Sequence, residues 1–123
     1  MPRLKRVQWT TRHNICNVKF HMSDGSSSPD LENEYRLEKE FNFGDNEVGK
    51  IEIQEISNEH SIGRVHFFDR EGKKLLEIKG NPLLKDHVQT TIIRESEKLC
   101  GFALYHTNVI KGFQCLIAAA PKG

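Results

Sequence analysis

The chain has 123 residues, with 18 Lys and Arg against 17 Asp and Glu, so its formal net charge is +1. This length predicts a single domain, and the balance of charges argues against a nucleic-acid-binding protein, which needs a basic excess. Every apolar run is shorter than the roughly 18 residues of a membrane-spanning helix, so we expect no membrane span.

Cysteine usage indicates a reducing compartment. The three cysteines are an odd number and include no Cys-x-x-Cys pair. The N-terminal segment MPRLKRVQW alternates charged and apolar residues and has no secretory hydrophobic region. Together these features predict an intracellular, cytoplasmic protein.

Alternation of apolar and polar residues predicts antiparallel β-strands along most of the chain. In chain order the candidate strands are LKRVQW (4–9), ICNVKFH (15–21), GKIEIQEI (49–56), IGRVHFF (62–68), HVQTTIIRE (87–95), KLCGFALYH (98–106) and GFQCLIA (112–118). A basic cluster at the first strand is interpreted as a solvated end strand, with a patch for an acidic partner as the alternative; it comprises Arg3, Lys5, Arg6 and Arg12.

The segments between these strands contain turn signals. Asp24-Gly25 is a preferred pair for a type I′ turn, because glycine adopts positive φ without steric cost, and SDGSSSPD (23–30) is predicted to be a mobile surface loop. GNPLL around Pro82 is a predicted loop. The segment PDLENEYRLEKEF (29–41) fits a helix or a strand, and its β-rich context favours a strand over Tyr35–Phe41.

An internal repeat organises these strands. HNICNVKFHMSDG (13–25) and HSIGRVHFFDREG (60–72) share His, Ile, Val, Phe and Gly at a constant offset of 47. A degenerate third copy, NVIKGFQCLI (108–117), aligns by its spacing: Ile110, Phe113 and Cys115 match Ile15, Val18 and Phe20. The three residues from Ile to Val interrupt the alternation, which predicts a β-bulge or a strand bend in each copy.

The order of these patterns resembles that of jacalin-like β-prism lectin domains. The residues concerned are K-I-x-I from Lys50, I-x-x-V-x-F from Ile62 and I-x-E-x-E-x-L-x-G-F from Ile93. The resemblance covers residues 3–118, taken as a single domain, with 119–123 as a C-terminal tail. It implies an all-β chain, a β-prism of three antiparallel sheets with a pseudo-threefold internal repeat. A β-trefoil is the alternative.

The family's sugar site does not carry over to this chain. Jacalin-like lectins bind sugars at loops on one end of the prism, where an Asp beside the Ile of the last inward strand accepts hydrogen bonds from the sugar hydroxyls. The corresponding positions here are Lys111, Gly63 and Cys16, and the N-terminus lacks the family's Gly pair. We therefore expect a non-enzymatic binding or scaffold module that engages a protein partner within a larger assembly. A glycan-binding lectin with altered loops is the alternative.

The predicted ligand-binding residues occupy equivalent loops of the three copies: Asn108, Lys111, His106, His13 and His60. The histidines have no spacing typical of zinc sites, so we predict neither a metal nor a cofactor, with a metal site at the repeated pair His13 and His60 as the alternative. No catalytic residue is predicted.

Two further residues, Cys16 and Trp9, each have two interpretations, and a third, Cys115, is given a structural role. Cys16 falls among the polar positions of its strand, so a reactive thiol is considered beside a surface role. Trp9, aligned with Ile56 of the second copy, is assigned to the core, with an exposed aromatic at a binding end as the alternative. Cys115 is assigned to the core as a small apolar residue.

Overall fold

The computed structural model describes residues 2–80 and 83–119, and the regular structure of these residues is entirely β. The strands are β1 (Leu4–Thr11), β2 (Ile15–Met22), β3 (Lys39–Asn42), β4 (Val48–Glu55), β5 (Ile62–Asp69), β6 (Lys74–Lys79), β7 (Gln89–Ile92), β8 (Glu97–His106) and β9 (Ile110–Ala119). Asn81 and Pro82 of the predicted loop GNPLL, and the predicted tail apart from Ala119, lie outside the described residues.

The strands form three antiparallel sheets, which confirms the all-β prediction. The strand orders are β2-β1-β3, β6-β5-β4-β7 and β8-β9. The second sheet is a Greek key, because three consecutive strands are followed by a fourth that returns beside the first. In the first sheet, an isolated bridge between His21 and Ser27 lies on the side of β2 that corresponds to β6.

The register of the three central hairpins shows which positions are equivalent. Each hairpin places a buried residue of its first strand opposite the inward residue at the centre of its second: Val7 with Phe20, Ile51 with Phe67, and Phe102 with Cys115. The alignment of the third copy, drawn from spacing, therefore matches the observed strand pairing. The three leading isoleucines, Ile15, Ile62 and Ile110, are all buried in the core.

Each central hairpin contains a bulge at the same point of the repeat, as predicted. The register skips Cys16 between Ile15 and Asn17, and it skips Gly63 and Lys111 at the equivalent places. A bulge inserts one residue and restores the inward face on both sides of it. This is why isoleucine and the residue three positions later both point into the core.

The alignment of Trp9 with Ile56 was wrong. Trp9 lies opposite Val18, and the residue opposite Val65 is Ile53. The constant offset of 47 holds for the second strand of each hairpin but not for the first, because the connection in the first copy is shorter by three residues. Trp9 is only 9 % exposed and belongs to the core, as predicted.

The segment between β2 and β3 is mostly irregular, so the strand predicted over Tyr35–Phe41 was too long. Only Lys39–Asn42 pairs with β1. Before it, side chains of the hairpin bind the backbone: Asn17 Nδ2 donates to the Tyr35 carbonyl at 2.8 Å, and Thr10 Oγ1 donates to the Arg36 carbonyl. These bonds satisfy carbonyl groups that a β-ladder would otherwise occupy.

The Asp24-Gly25 turn is not of type I′. Gly25 has φ of 90° and its amide donates to the Met22 carbonyl at 3.2 Å, whereas Asp24 has no positive φ. A type I′ turn needs positive φ at both central residues, so this is a longer turn that ends on glycine. The following serines pack against β2: Ser28 is buried, and its Oγ accepts a hydrogen bond from the Phe20 amide at 2.9 Å.

Phenylalanines from all three sheets meet in the core. Phe20 stacks on Phe102 with ring centroids 3.8 Å apart, lies 5.3 Å from Phe113, and meets Phe67 edge-on at 6.5 Å. Phe43, which follows β3, contacts Phe67 at 5.4 Å. Phe20 therefore connects the first sheet to both of the others through aromatic contacts.

An ion network holds the second sheet to the third at the end where the chain enters β4 and β8. Glu47 Oε1 accepts hydrogen bonds from Arg70 Nη2 at 3.0 Å and Lys98 Nζ at 2.9 Å. Arg70 also donates to the carbonyls of Ile93 and Glu97 at 2.8 and 3.2 Å. The hydrogen bonds from Arg70 and Lys98 lower the pKa of Glu47 to about 2.

No helix capable of crossing a membrane occurs among the residues that the structure describes.

Truncation of the central aromatic tests this packing. We expect Phe20→Ala to lower the free energy of unfolding by about 3–5 kcal/mol, because it leaves a cavity between three sheets. Lys19→Ala, on the neighbouring outward position with its ammonium 2.6 Å from the exposed Asp30 carboxylate, should cost under about 1 kcal/mol. Urea unfolding measures both, and similar losses for the two variants would show that the face assignment of β2 is wrong.

Acid titration tests the ion network. The folded-state pKa of Glu47 lies below its ordinary value of 4.5, so the carboxylate stabilises the fold above about pH 4.5 and loses this effect as the pH falls towards 2. We expect Glu47→Gln to unfold at lower urea than wild type at pH 7, and the two midpoints to converge near pH 2. Glu71→Gln, in the exposed β5–β6 turn, is the control. A difference for Glu47→Gln that stayed constant with pH would contradict the assignment.

Candidate functional site

The loops that close the three central hairpins lie together at one end of the molecule. They are residues 12–14, 56–61 and 107–109, and side chains connect them. His13 Nε2 lies 3.2 Å from Glu59 Oε2, which joins the first loop to the second. Asn33 Nδ2 donates to the Cys16 carbonyl at 3.0 Å and to the Asn108 carbonyl at 3.3 Å, which joins the first hairpin to the third loop.

A glycine fixes the position of the first loop. Gly80 follows β6, its amide donates to the Gly63 carbonyl at 3.0 Å, and it lies directly against the backbone of the first loop. A Cβ atom added to Gly80 would come within 2.5 Å of the His13 carbonyl oxygen. The residue at this position must therefore lack a side chain for the loop to pack as it does.

The second loop turns through Asn58, which has φ of 65°. Asparagine tolerates this left-handed conformation better than other residues with a side chain. The loop begins where the Ile56 amide donates to the Ser61 carbonyl at 2.9 Å, and the Ser57 amide donates to the Leu83 carbonyl at 2.8 Å. Its tip projects Glu59 and His60 away from the core.

The predicted histidines at this end are exposed and are not brought together. The His60 side chain is 92 % exposed, and its Nδ1 lies 3.7 Å from Glu55 Oε2. His13 is directed at Glu59, and His106 Nδ1 lies 3.2 Å from the Thr107 carbonyl. Within residues 2–80 and 83–119 no cluster of three or more His, Cys, Asp or Glu has the geometry of a metal site.

Of the other two predicted residues, Asn108 belongs to the connected loops and Lys111 does not. Asn108 is exposed, and its carbonyl accepts the Asn33 hydrogen bond. Lys111 is the bulged residue of β9, and it lines a lateral groove of about 330 Å³ between β4, β7 and β9. The structure thus divides the predicted site into a loop end and a groove on the side of the molecule.

The lateral groove has an apolar floor and a polar rim. Its lining residues are Ile53, Glu55, Ile62, Gln89, Tyr105, Lys111, Gly112, Phe113 and Gln114. The Glu55 carboxylate already has a partner, since Lys85 Nζ donates to it at 2.7 Å and this hydrogen bond lowers the pKa of Glu55. Tyr105 is 57 % exposed on the rim.

Cys16 is a structural residue. It is only 1 % exposed, and its Sγ lies 3.2 Å from Asn14 Oδ1. Burial raises the pKa of the Cys16 thiol, so little thiolate forms near neutral pH and nucleophilic reactivity is low. The placement of Cys16 among outward polar residues was wrong, because the bulge turns this position inward.

Sequence reasoning missed two residues that connect the loops. Glu59 adjoins His60, but it is not one of the residues that are identical between the two copies of the repeat, so the repeat did not indicate it. Asn33 lies in an irregular segment 75 residues from Asn108 in sequence, and no local signal indicates which backbone carbonyls its amide will meet.

The comparisons with known proteins establish the fold and no family. No protein-family model matches the sequence, and no curated protein matches it. Six chains of solved structures match. One of them, the crystal structure of PirB, superposes with a TM-score of 0.70 at 11 % sequence identity. The match covers 98 % of this chain and 30 % of the PirB chain. The likeness is therefore one of fold, to a unit that forms less than a third of PirB.

Substitution at Gly80 tests how the loop end is held. We expect Gly80→Ala to lower the free energy of unfolding by about 1–3 kcal/mol, because the new methyl group overlaps the His13 carbonyl and the loop must shift. Gly101→Ala is the matched control: its Cβ would come no closer than 3.8 Å to Leu116 Cδ1, and its effect should be within about 0.5 kcal/mol. Equal effects in thermal melts would mean that Gly80 does not support the loop.

Proposed function

We propose that this chain is a non-enzymatic binding module, a jacalin-like β-prism domain that engages a protein partner through its loop end within a larger assembly. The β-prism assignment is supported by three sheets whose central hairpins share one register and one bulge position. It is also supported by the three equivalent isoleucines, all buried in a common core.

The observation that carries the function is the linkage of the three hairpin loops. Loops with side-chain contacts to each other form one continuous surface, and such a surface on a rigid sheet scaffold is where binding residues concentrate. His13–Glu59 joins the first loop to the second directly. Asn33, from the β2–β3 segment, bridges the first hairpin and the third loop through the carbonyls of Cys16 and Asn108. His60 and Asn108 remain exposed beside them and are available to a partner.

The chemistry of this surface favours a protein over a sugar. The equivalent bulge positions carry Lys111, Gly63 and Cys16, and none of them supplies the carboxylate acceptor that orients sugar hydroxyls in the jacalin-like site. Lys111 only donates, and Cys16 is buried. The loop end instead displays imidazole, amide and carboxylate groups, which suit polar contacts at the rim of a protein interface.

The state of the candidate nucleophile and bases supports a non-enzymatic role. Cys16 is buried with a raised thiol pKa. The loop histidines His13 and His60 lie beside the carboxylates of Glu59 and Glu55 rather than beside a hydroxyl or thiol. Nucleophilic catalysis requires the nucleophile and its base within hydrogen-bond reach.

Affinity capture with paired variants tests the proposal. The immobilised chain is used to capture proteins from native extract, and the same capture is repeated with His60→Asp and with Asn108→Ala. We expect a partner whose recovery falls at least about tenfold with both loop variants, equivalent to about 1.4 kcal/mol, and stays unchanged with Glu71→Ala at the opposite end.

A glycan array run in parallel distinguishes the alternative. Specific glycan binding that is lost in Asn108→Ala and Lys111→Ala would overturn the protein-binding proposal in favour of a lectin. Capture that is insensitive to both loop variants would show that the loop end is not the binding surface.

A further inference from the structure

The third sheet is incomplete in comparison with the second. In the second sheet, β5 pairs with β6 along Arg64–Phe68. The register makes Cys115 of β9 equivalent to Phe67 of β5, so the corresponding stretch of β9 is 112–116. Within residues 2–80 and 83–119 no strand pairs with this outer edge of β9. Its backbone amide and carbonyl groups are therefore oriented to accept another strand.

The outer edge of β9 also lacks the charges that normally protect an edge strand. Its ten residues contain a single charged side chain, Lys111, and the stretch Cys115–Ala119 is uncharged. The edge strands β3 and β6 are shorter and carry two and three charges: Lys39 and Glu40, and Lys74, Glu77 and Lys79. The edge strand β7 is uncharged but has only four residues. Long, uncharged edges are those that pair with another chain.

An apolar surface accompanies this edge. The lateral groove, with its floor of Ile53, Ile62 and Phe113, lies alongside the strand. Leu116, 44 % exposed on the outward face of β9, lies over Gly101 of β8 and lines a separate groove with Phe20 and Met22. Lys111 and Glu55 both line the lateral groove. The Glu55 carboxylate is already bound by Lys85 at 2.7 Å, so a carboxylate that pairs with Lys111 has to come from the occupant. An occupant suited to this groove is therefore an extended, mostly apolar strand from a chain that also places a carboxylate near Lys111.

We propose that the occupant is a second copy of this chain, paired antiparallel through β9 about a twofold axis at Cys115. Facing residues of paired strands must lie on the same face. This register satisfies that rule, because it sets Gln114 opposite Leu116 of the second copy, and both positions point outward. It also sets Lys111 opposite Ala119 of the second copy.

Charge complementarity selects this register. Ala119 pairs with Glu97 inside its own sheet, so Lys111 of one copy lies two strand spacings, about 10 Å between Cα atoms, from Glu97 of the other. The combined lengths of a lysine and a glutamate side chain span that distance. Glu97 Oε1 accepts a hydrogen bond from the Arg94 amide at 3.0 Å, and this neutral donor leaves the negative charge of the carboxylate to interact with Lys111. The twofold axis creates this ion pair twice and brings no like charges together on β9. The uncharged half of each strand meanwhile lies along the other copy's groove.

Such an interface joins two sheets into one of four strands but buries little beyond one strand pair. Interfaces that hold stable dimers bury about 1,200 Å² or more in total. The association is therefore weak and reversible, and it leaves the loop end of each copy free.

Sedimentation of the 123-residue chain over a range of concentrations tests this inference. We expect the average mass to rise with concentration from 14.2 kDa towards twice that value. Leu116→Lys should raise the dissociation constant at least about tenfold, because it places a charge at the centre of the paired edge. Leu83→Lys, at a leucine that is 84 % exposed outside β9, should leave it unchanged.

A charge exchange tests the register. Lys111→Glu should weaken the dimer, and the double variant Lys111→Glu/Glu97→Lys should restore it, with circular dichroism confirming that each variant folds. A chain that stays monomeric at every concentration, or a dimer equally affected by Leu116→Lys and Leu83→Lys, would overturn the β9 interface. Failure of the folded double variant to recover affinity would overturn the proposed pairing of Lys111 with Glu97.

Discussion

The contact of Phe20 with aromatic rings from the other two sheets is the constraint on which this structure depends. The first sheet presents Phe20 to Phe67 on one side and to Phe102 and Phe113 on the other. A sheet buries one face only if another sheet covers it, and here the third sheet has only two strands among the described residues. The rings of Phe102 and Phe113 give this two-stranded sheet a large apolar area to bury against the other two sheets. The three hairpins are thereby held around one core.

The inward residues of the hairpins form the core, and each hairpin has one bulged residue that the inward–outward alternation does not assign to either face. One inserted residue turns inward or outward depending on its surroundings: Cys16 is buried beneath the first loop, while Lys111 is exposed at the lateral groove. The same backbone device therefore produces a packed thiol in one sheet and a free ammonium group in another. It also separates Lys111 from the connected loops, although Lys111 and those loops occupy corresponding parts of the repeat.

The loop end and the β9 edge are two surfaces with different physical character. The loop end displays imidazole, amide and carboxylate groups that are already joined by His13–Glu59 and Asn33–Asn108. The outer edge of β9 has no paired strand among residues 2–80 and 83–119, and β9 also exposes Leu116. Polar side chains on a scaffold select a partner by geometry, whereas an open sheet edge pairs through main-chain hydrogen bonds and depends less on sequence. The proposed partner binding and the proposed self-association therefore use different surfaces and do not compete.

The sequence by itself determined the all-β class, the equivalence of Ile15, Ile62 and Ile110, and the bulges, because these follow from local alternation and its interruption. It also identified the loop positions His13, His60 and Asn108, since the repeat aligns them. Only the tertiary structure decided which loops touch: Asn33 reaches Asn108 across 75 residues, and Glu59 meets His13 across 46. The strand predicted for 35–41 does not form over its first residues, because Asn17 and Thr10 side chains bind the carbonyls of Tyr35 and Arg36. Cys16, the bulged residue of β2, is buried although it was predicted to lie among outward polar residues. Local patterns specify how a segment pairs and which face it buries, but contacts between distant segments depend on how the sheets pack, and no local pattern encodes that.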